Sequence, residues 1–243
     1  MTKKSEALTP KPRTGARRRA RQEGDKQALQ ALILETARKE FANSSLEAVS
    51  IQKIADAAGY SKATVLKYFP SKILLLLAVK QINLEEVAAK LDAVYRRDLD
   101  AEGRLREILE AYLTYWLKNP DNFRSLYSMA GTREDRRFPD GRYFGETEIA
   151  KRSFEIFCRA VDDYLAGKGV RASSALSVRL ASALLSAAHG VIALPLGTPS
   201  MKWPDVKMNG RLVVGGMIDA WNTRLDLARI KPSWPAISLQ DFL

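Results

Sequence analysis

The stretch that decides the fold is "SIQKIADAAGYSKATVLKYFPSK", residues 50–72. Its apolar spacing predicts two short amphipathic helices joined at Gly59. Ser50 and Ser61 stand where each helix would begin, and a serine hydroxyl there accepts a hydrogen bond from a free backbone N–H. Gly59 stands where the chain must turn sharply, because glycine accepts a positive φ without steric cost. The pattern predicts a helix-turn-helix.

The side chains around the turn support this prediction. Ala55 is small enough to let the two helices cross closely, and Val65 is apolar and predicted to face the crossing. Pro70 and Ser71 end the second helix and start another. In such a unit the second helix lies in the major groove of DNA. That placement gives a role to the polar residues of the second helix, which folding alone does not explain.

The stretch, together with the preceding "ILETARKEFANSSLEAVS" at 33–50, resembles the N-terminal DNA-binding domain of the TetR/AcrR family of transcriptional regulators. Three motifs carry the resemblance, in order and over about residues 31–79: a first helix ending in "FA", then "IADAAG", then "SKATVLKYFPSK". The resemblance implies an all-α fold, with an N-terminal three-helix helix-turn-helix DNA-binding domain and a C-terminal helical bundle for ligand binding and dimerisation.

The resemblance also implies which residues touch DNA. Base contacts fall on Lys62, Ala63 and Leu66. Phosphate contacts fall on Ser50, Thr64, Lys67, Tyr68 and Lys72. Two positions depart from the family pattern: Ala63 stands where glycine is common, and Leu66 where an aromatic residue is common. Leu66 can contact a thymine methyl but cannot hydrogen-bond a base. In the alternative interpretation Leu66 and Tyr68 pack between helices, and the three lysines are merely solvated.

Helical periodicity continues along the rest of the chain, and about nine helices are predicted. They include a long connecting helix at 71–97 and two late helices at 173–194 and 209–230. Residues 1–24 carry prolines and many basic side chains, which predicts a disordered basic arm. The expected organisation is an arm at 1–24, a helix-turn-helix domain at 25–72, and a ligand-binding and dimerisation domain at 73–243.

Composition favours a polyanionic partner. The chain has 243 residues and a net charge of +11, which points to nucleic acid first and an anionic membrane surface second. The longest unbroken apolar run, residues 73–79, is far shorter than the roughly 20 residues of a membrane span, so no span is expected. DNA is the predicted partner, and no membrane partner is predicted. The single cysteine, Cys158, excludes an internal disulfide. These features predict a cytoplasmic, nucleoid-associated protein.

Enzyme chemistry finds little support in the sequence. His189 is the only histidine, so no multi-histidine metal site can form. No G-x-S-x-G motif, P-loop or complete dinucleotide-binding fingerprint is present. We therefore expect no enzymatic activity, no metal and no cofactor.

For the second half, the resemblance implies a homodimer formed through the last two long helices and a small-molecule pocket inside the bundle. The candidate wall residues are aromatic or imidazole side chains: Tyr112, Trp116, Phe123, Tyr127, Phe154, Phe157 and His189. They suggest an aromatic or hydrophobic effector, although such a stripe also suits an ordinary core. The expected function is a dimeric repressor that binds an inverted-repeat operator in double-stranded DNA and is released by the effector. The alternatives are a DNA-binding regulator without an effector and, less favoured, an all-α enzyme.

Overall fold

The computed structural model describes residues 14–44, 47–127, 138, 140–171 and 173–224 of the chain. Over these ranges the chain forms nine α-helices, one short 3-10 helix and no extended strand, which confirms the all-α prediction. The helices are α1 (Thr14–Asn43), α2 (Ile51–Ala58), α3 (Lys62–Tyr68), α4 (Lys72–Tyr95), α5 (Ala101–Lys118), α6 (Pro120–Tyr127), α7 (Glu148–Gly167), α8 (Ser174–Gly197) and α9 (Val206–Arg224), with the 3-10 helix Phe144–Glu146 before α7.

The first helix begins earlier than the sequence predicted. Residues 14–24 belong to α1, although they fall within the predicted disordered arm. The physical reason is helix propensity, because this segment consists mainly of alanine, arginine and glutamine, all strong helix formers. Residues 1–13 of the arm lie outside the described residues. At the other end, α9 begins at Val206 and is described to Arg224, so the predicted extension to 230 lies outside the description.

Three serines set the starts of α2, α3 and α4. The hydroxyl oxygens of Ser50, Ser61 and Ser71 accept hydrogen bonds from the backbone N–H three residues later, at 3.1, 3.1 and 3.2 Å. Gly59 ends α2 with φ 75°, and its N–H donates to the carbonyl of Asp56. Together with the bond from Tyr60 N–H to Ala55 carbonyl, this forms a Schellman motif. The predicted helix-turn-helix is therefore present.

A small N-terminal core holds α1, α2, α3 and the start of α4 together. Ala55 and Val65 are fully buried at the crossing of α2 and α3, as their sizes predicted. Leu75, Leu76 and Val79 of α4 belong to the same core. The helix that follows the predicted domain boundary at 72/73 therefore contributes its first two turns to the N-terminal core.

A larger core fills the C-terminal bundle, and α4 contributes to it as well. Leu84, Val87 and Leu91 of α4 are buried there with side chains from α5, α7, α8 and α9. Because α4 has 24 residues, it spans about 36 Å and joins the two cores directly. It is the connector that the sequence predicted.

Polar side chains tie α1 to the bundle at the middle of α4. The guanidinium of Arg38 on α1 donates to the carboxylate of Glu86 on α4 at 2.9 Å. The Tyr115 hydroxyl on α5 donates to the same carboxylate at 2.8 Å. One turn earlier, the Asn83 amide donates to the Ser125 hydroxyl on α6 at 2.9 Å. Glu86 thus links α1 and α5 through hydrogen bonds, and Asn83 links α4 to α6.

Among the described helices, α8 is long and apolar enough to cross a membrane, judged by length and composition. The sequence prediction counted only unbroken apolar runs and passed over α8, where serines, Arg179 and His189 interrupt the apolar residues. One such helix is weak evidence for a span, since core helices of soluble proteins have the same composition. Only 22% of its most apolar stretch is buried within this one chain. Most of this apolar stretch is therefore not buried by the rest of the single chain.

Candidate nucleic-acid interface and ligand cavity

Helix α3 presents a polar face on one side and anchors itself on the other. Val65 is fully buried and Phe69, which follows the helix, is 5% exposed, so both fix the rotation of α3 about its axis. Ala63 and Lys67 are exposed on the side opposite Val65, and Lys62 is exposed at the first position of the helix. Within the described ranges neither Lys62 nor Lys67 has an ion-pair partner. The helix therefore offers two uncompensated ammonium groups to an external anion.

Other predicted DNA contacts are engaged within the protein. Leu66 and Tyr68 are half-buried and pack against the N-terminal core, in line with the packing alternative. The Thr64 hydroxyl lies 2.9 Å from the Ser61 hydroxyl. The Lys72 ammonium donates to the backbone carbonyl of Val49 at 2.9 Å, which fixes the chain before α2. DNA contact by these residues remains a prediction.

Neighbouring charges on α2 are internally paired. The Lys53 ammonium lies 2.8 Å from the Glu40 carboxylate of α1, and the Gln52 amide donates to Asp56 at 2.6 Å. The Ser50 hydroxyl oxygen is occupied as the α2 cap, although its own proton is available to a phosphate. The positive face of this region is therefore centred on α3 rather than α2.

The C-terminal bundle contains a partly open cavity of about 220 Å³. Four of the seven predicted wall residues line it: Tyr112, Tyr127, Phe154 and Phe157. The other lining residues come from α4, α6, α7, α8 and the 3-10 helix: Leu84, Val87, Leu91, Leu126, Phe144, Ala150, Ser153 and Leu185. None of the described lining residues is charged, so this part of the wall suits an apolar molecule.

Three predicted wall residues stand behind the cavity rather than in its lining. Trp116 is fully buried and meets Tyr112 edge-on, with ring centroids 6.1 Å apart. Phe123 packs on Trp116 at 5.6 Å. His189 lies edge-on to Tyr127 at 4.2 Å, and burial lowers its pKa, which favours the neutral imidazole. These residues support the wall.

Sequence reasoning missed the aliphatic side of the cavity. Leu84, Val87 and Leu91 follow one another at helical spacing on α4, so their common face could have been found from the sequence. Phe144 lies in the 3-10 helix after a loop, where no periodic signal exists. Its place in the lining depends on tertiary packing alone.

Two polar groups at this cavity have no partner within the described residues. The Tyr112 hydroxyl and the Trp116 indole N–H are both buried and make no hydrogen bond. The Trp116 and Tyr127 side chains lie beside the Tyr112 hydroxyl, and burial raises the pKa of Tyr112 well above its ordinary value. The phenol therefore stays protonated as a hydrogen-bond donor.

Family comparisons agree with this geometry. Residues 33–79 match the family described as "Bacterial regulatory proteins, tetR family". Residues 105–207 match the family described as "Tetracyclin repressor-like, C-terminal domain". The first match contains the helix-turn-helix, and the second contains most of the bundle around the cavity.

Curated relatives come from Mycolicibacterium smegmatis. The chain is 30% identical to the HTH-type transcriptional activator FasR over 117 residues, which is 48% of this chain and 52% of FasR. It is 29% identical to the HTH-type transcriptional regulator EthR over 145 residues, 59% of this chain and 62% of EthR. The matches thus span about half to three-fifths of these relatives.

A solved structure has the same fold. The transcriptional regulator FadR from Bacillus subtilis, in complex with stearoyl-CoA, superposes with a TM-score of 0.63 at 13% identity, covering 76% of this chain and 95% of FadR. With both halves of the chain matched by models of one family and the turn, caps and bundle in place, the chain belongs to the tetR family of bacterial regulatory proteins.

Proposed function

We propose that the protein is a dimeric, sequence-specific DNA-binding regulator of transcription. One observation carries the proposal: α3 is fixed by the Ser61 cap and buried Val65, while Lys62 and Lys67 project from its exposed face. A helix held in this way fits the major groove, where side chains meet base edges and phosphates. Lys62, Ala63 and Leu66 then face bases. Ser50, Thr64, Lys67, Tyr68 and Lys72 then face phosphates.

The dimer forms through α8 and α9, as the sequence suggested. These helices pack on each other and leave two stripes exposed at helical spacing. The stripe on α8 consists of Ala183, Ser186, Gly190 and Leu194, and the stripe on α9 consists of Met208, Leu212, Gly216 and Ala220. A Cβ added at Gly190 or Gly216 would meet nothing within 4 Å in the single chain, so a second copy has room to approach closely. Twofold pairing would present two copies of α3 to an inverted repeat.

The cavity is the proposed effector site. It is bounded by Leu84, Val87 and Leu91 of α4, the helix whose start belongs to the N-terminal core. A ligand that prefers one arrangement of α4 would shift the population towards it and change the separation of the two recognition helices. We propose release from the operator, hence repression, as the response. Binding to DNA without any effector is the alternative.

Regulation rather than catalysis is proposed because both matched families are regulatory. The proposed location is the cytoplasm, in contact with chromosomal DNA. The net charge of +11 suits this partner and supports fast electrostatic association.

The first test is selection of bound duplexes from a random pool at near-physiological salt. We expect enrichment of an inverted repeat whose half-sites are about one helical turn apart or a multiple of it. Binding that weakens steeply with salt but enriches no sequence would contradict the proposal and indicate non-specific association.

Two lysine variants test the α3 interface directly. Lys62→Ala should weaken operator binding about tenfold and relax the preference at one base pair. Lys67→Ala should weaken binding to all duplexes and lower the salt slope by about 1. The matched control is Arg171→Ala, an exposed cation after α7 and outside the helix-turn-helix. Equal losses in all three variants, measured by fluorescence anisotropy, would contradict the assignment.

A further inference from the structure

The described cavity wall is mostly apolar, and its polar side chains are Tyr112, Tyr127 and Ser153. Tyr112 lines the cavity and is only 4% exposed, yet its hydroxyl has no hydrogen-bond partner among the described residues. Trp116 lies directly behind Tyr112 and is fully buried, and its indole N–H also has no hydrogen-bond partner among the described residues. An unsatisfied buried donor is costly, so two of them side by side call for an explanation.

The hydrogen-bonding capacities of the Tyr112 hydroxyl and the Trp116 indole N–H define which ligand group could bond with them. An indole N–H can only donate, whereas a phenol hydroxyl can donate one hydrogen bond and also accept. The Tyr127 hydroxyl lies beside that of Tyr112, although neither it nor Trp116 forms a hydrogen bond with Tyr112 in this structure. If Trp116 donates to the Tyr112 oxygen, the Tyr112 proton can be donated to the Tyr127 oxygen or to an acceptor on a ligand in the cavity. A single acceptor on a ligand thus completes a chain of two hydrogen bonds, and each bond in such a chain polarises the next.

We propose that the cavity binds a small, uncharged and mostly apolar molecule whose one hydrogen-bond acceptor, such as a carbonyl oxygen, is held by the Tyr112 hydroxyl. This inference rests on the proposed role of the cavity as an effector site. None of the described lining residues is a cation, and this disfavours an anionic ligand because an unpaired carboxylate in an apolar site is costly. The Lys80 ammonium lies over the ring of the lining residue Phe144, at 5.5 Å from the ring centroid.

The cavity volume sets the size of the ligand. An apolar cavity of roughly 150 Å³ accommodates benzene, which has six carbons. A volume of about 220 Å³ therefore suits about nine non-hydrogen atoms. That is the size of a benzene ring carrying a short carbonyl substituent.

Three probe compounds distinguish the effects of a hydrogen-bond acceptor, of shape and of charge on binding: acetophenone, ethylbenzene and benzoate. We expect acetophenone to bind the full-length protein about fivefold to tenfold more tightly than ethylbenzene, which has a similar shape but no acceptor. Benzoate should bind at least tenfold more weakly than acetophenone. NMR titration measures all three affinities on the wild-type protein, so this part of the test needs no variant.

A single substitution then locates the acceptor contact. Tyr112→Phe should abolish the preference for acetophenone over ethylbenzene while leaving ethylbenzene affinity nearly unchanged. The control is Tyr164→Phe, since the Tyr164 hydroxyl donates to Asn222 at 2.8 Å, outside the cavity lining. The inference is overturned if neither neutral probe binds, if they bind equally, if benzoate binds best, or if Tyr112→Phe keeps the preference.

Operator binding is measured separately, so the two proposals can fail independently. Acetophenone that binds through Tyr112 without changing operator affinity would uphold the ligand chemistry and refute the effector role. An operator released by another compound, with acetophenone and ethylbenzene bound equally, would uphold the regulator and refute the ligand chemistry.

Discussion

Gly59 is the residue on which the DNA-binding unit most directly depends. Its φ of 75° lies in the left-handed region, where a Cβ is strained. We expect Gly59→Ala to lower the free energy of unfolding by about 1 to 2 kcal/mol, measured by urea titration. The control is Gly24→Ala, a helical position with open space, where the same change should stabilise the protein by up to about 1 kcal/mol. Equal effects at both sites would contradict this account.

Residue-level prediction from sequence succeeded where the determinants are local. The three serine caps were readable because each hydroxyl meets a backbone N–H only three residues away. The hydrogen bond from Lys72 to the Val49 carbonyl could not be predicted in this way, because it joins residues 23 apart. The partial burial of Leu66 could not be predicted either, because it depends on how α3 is rotated against α1 and α2. Neither contact has a signature in the sequence.

At the scale of elements, α9 is attached to α5 by ion pairs. The Glu110 carboxylate accepts from Arg211 at 2.7 Å and lies 2.7 Å from the Lys207 ammonium. The hydrogen bond from Arg211 is the main cause that lowers the Glu110 pKa from 4.5 to about 2. Because the pKa is depressed in the folded state, this stabilisation is complete above about pH 4.5 and is lost as the pH falls towards 2.

We therefore expect Glu110→Gln to destabilise the protein at pH 7 and to flatten the fall in stability between about pH 4.5 and 2. Thermal unfolding at several pH values measures both effects. Glu155→Gln is the control, since Glu155 is exposed on α7 and makes no ion pair among the described residues. If Glu110→Gln shows the wild-type acid profile, the α5–α9 pairing contributes nothing to stability in solution.

Element-level prediction recovered the helices but not all of their ends or partners. Hydrophobic periodicity identified most of the helices because they bury an apolar stripe, whereas α3, which buries only Val65, was identified from the turn and caps around it. The start of α1 at Thr14 was missed, since the prolines and charge of the N-terminus outweighed its good helix formers. The contact between Glu110 and Arg211 joins positions 101 residues apart, so no local pattern could reveal it.

At the scale of the whole molecule, α4 joins the N-terminal core and the core of the bundle, because it contributes buried residues to both. The sequence predicted this connector and four of the residues that line the cavity beside it. It could not distinguish lining residues from supporting ones, because Trp116 and Tyr112 share one stripe of α5 and differ only in what packs across from them. A cavity is a property of five helices together, and no single helix encodes it.

The exposed stripes of α8 and α9 give the last prediction. Leu212 is 67% exposed in the single chain, so its replacement should leave the fold of that chain nearly unchanged. If a second copy covers the stripe, Leu212→Glu would bury an unpaired carboxylate twice in a twofold interface, at a cost of several kcal/mol. We expect a monomer at micromolar concentration by sedimentation velocity, and operator affinity at least 100-fold weaker. Leu32→Glu, 45% exposed on α1, should remain dimeric. A dimeric Leu212→Glu protein would place the interface elsewhere.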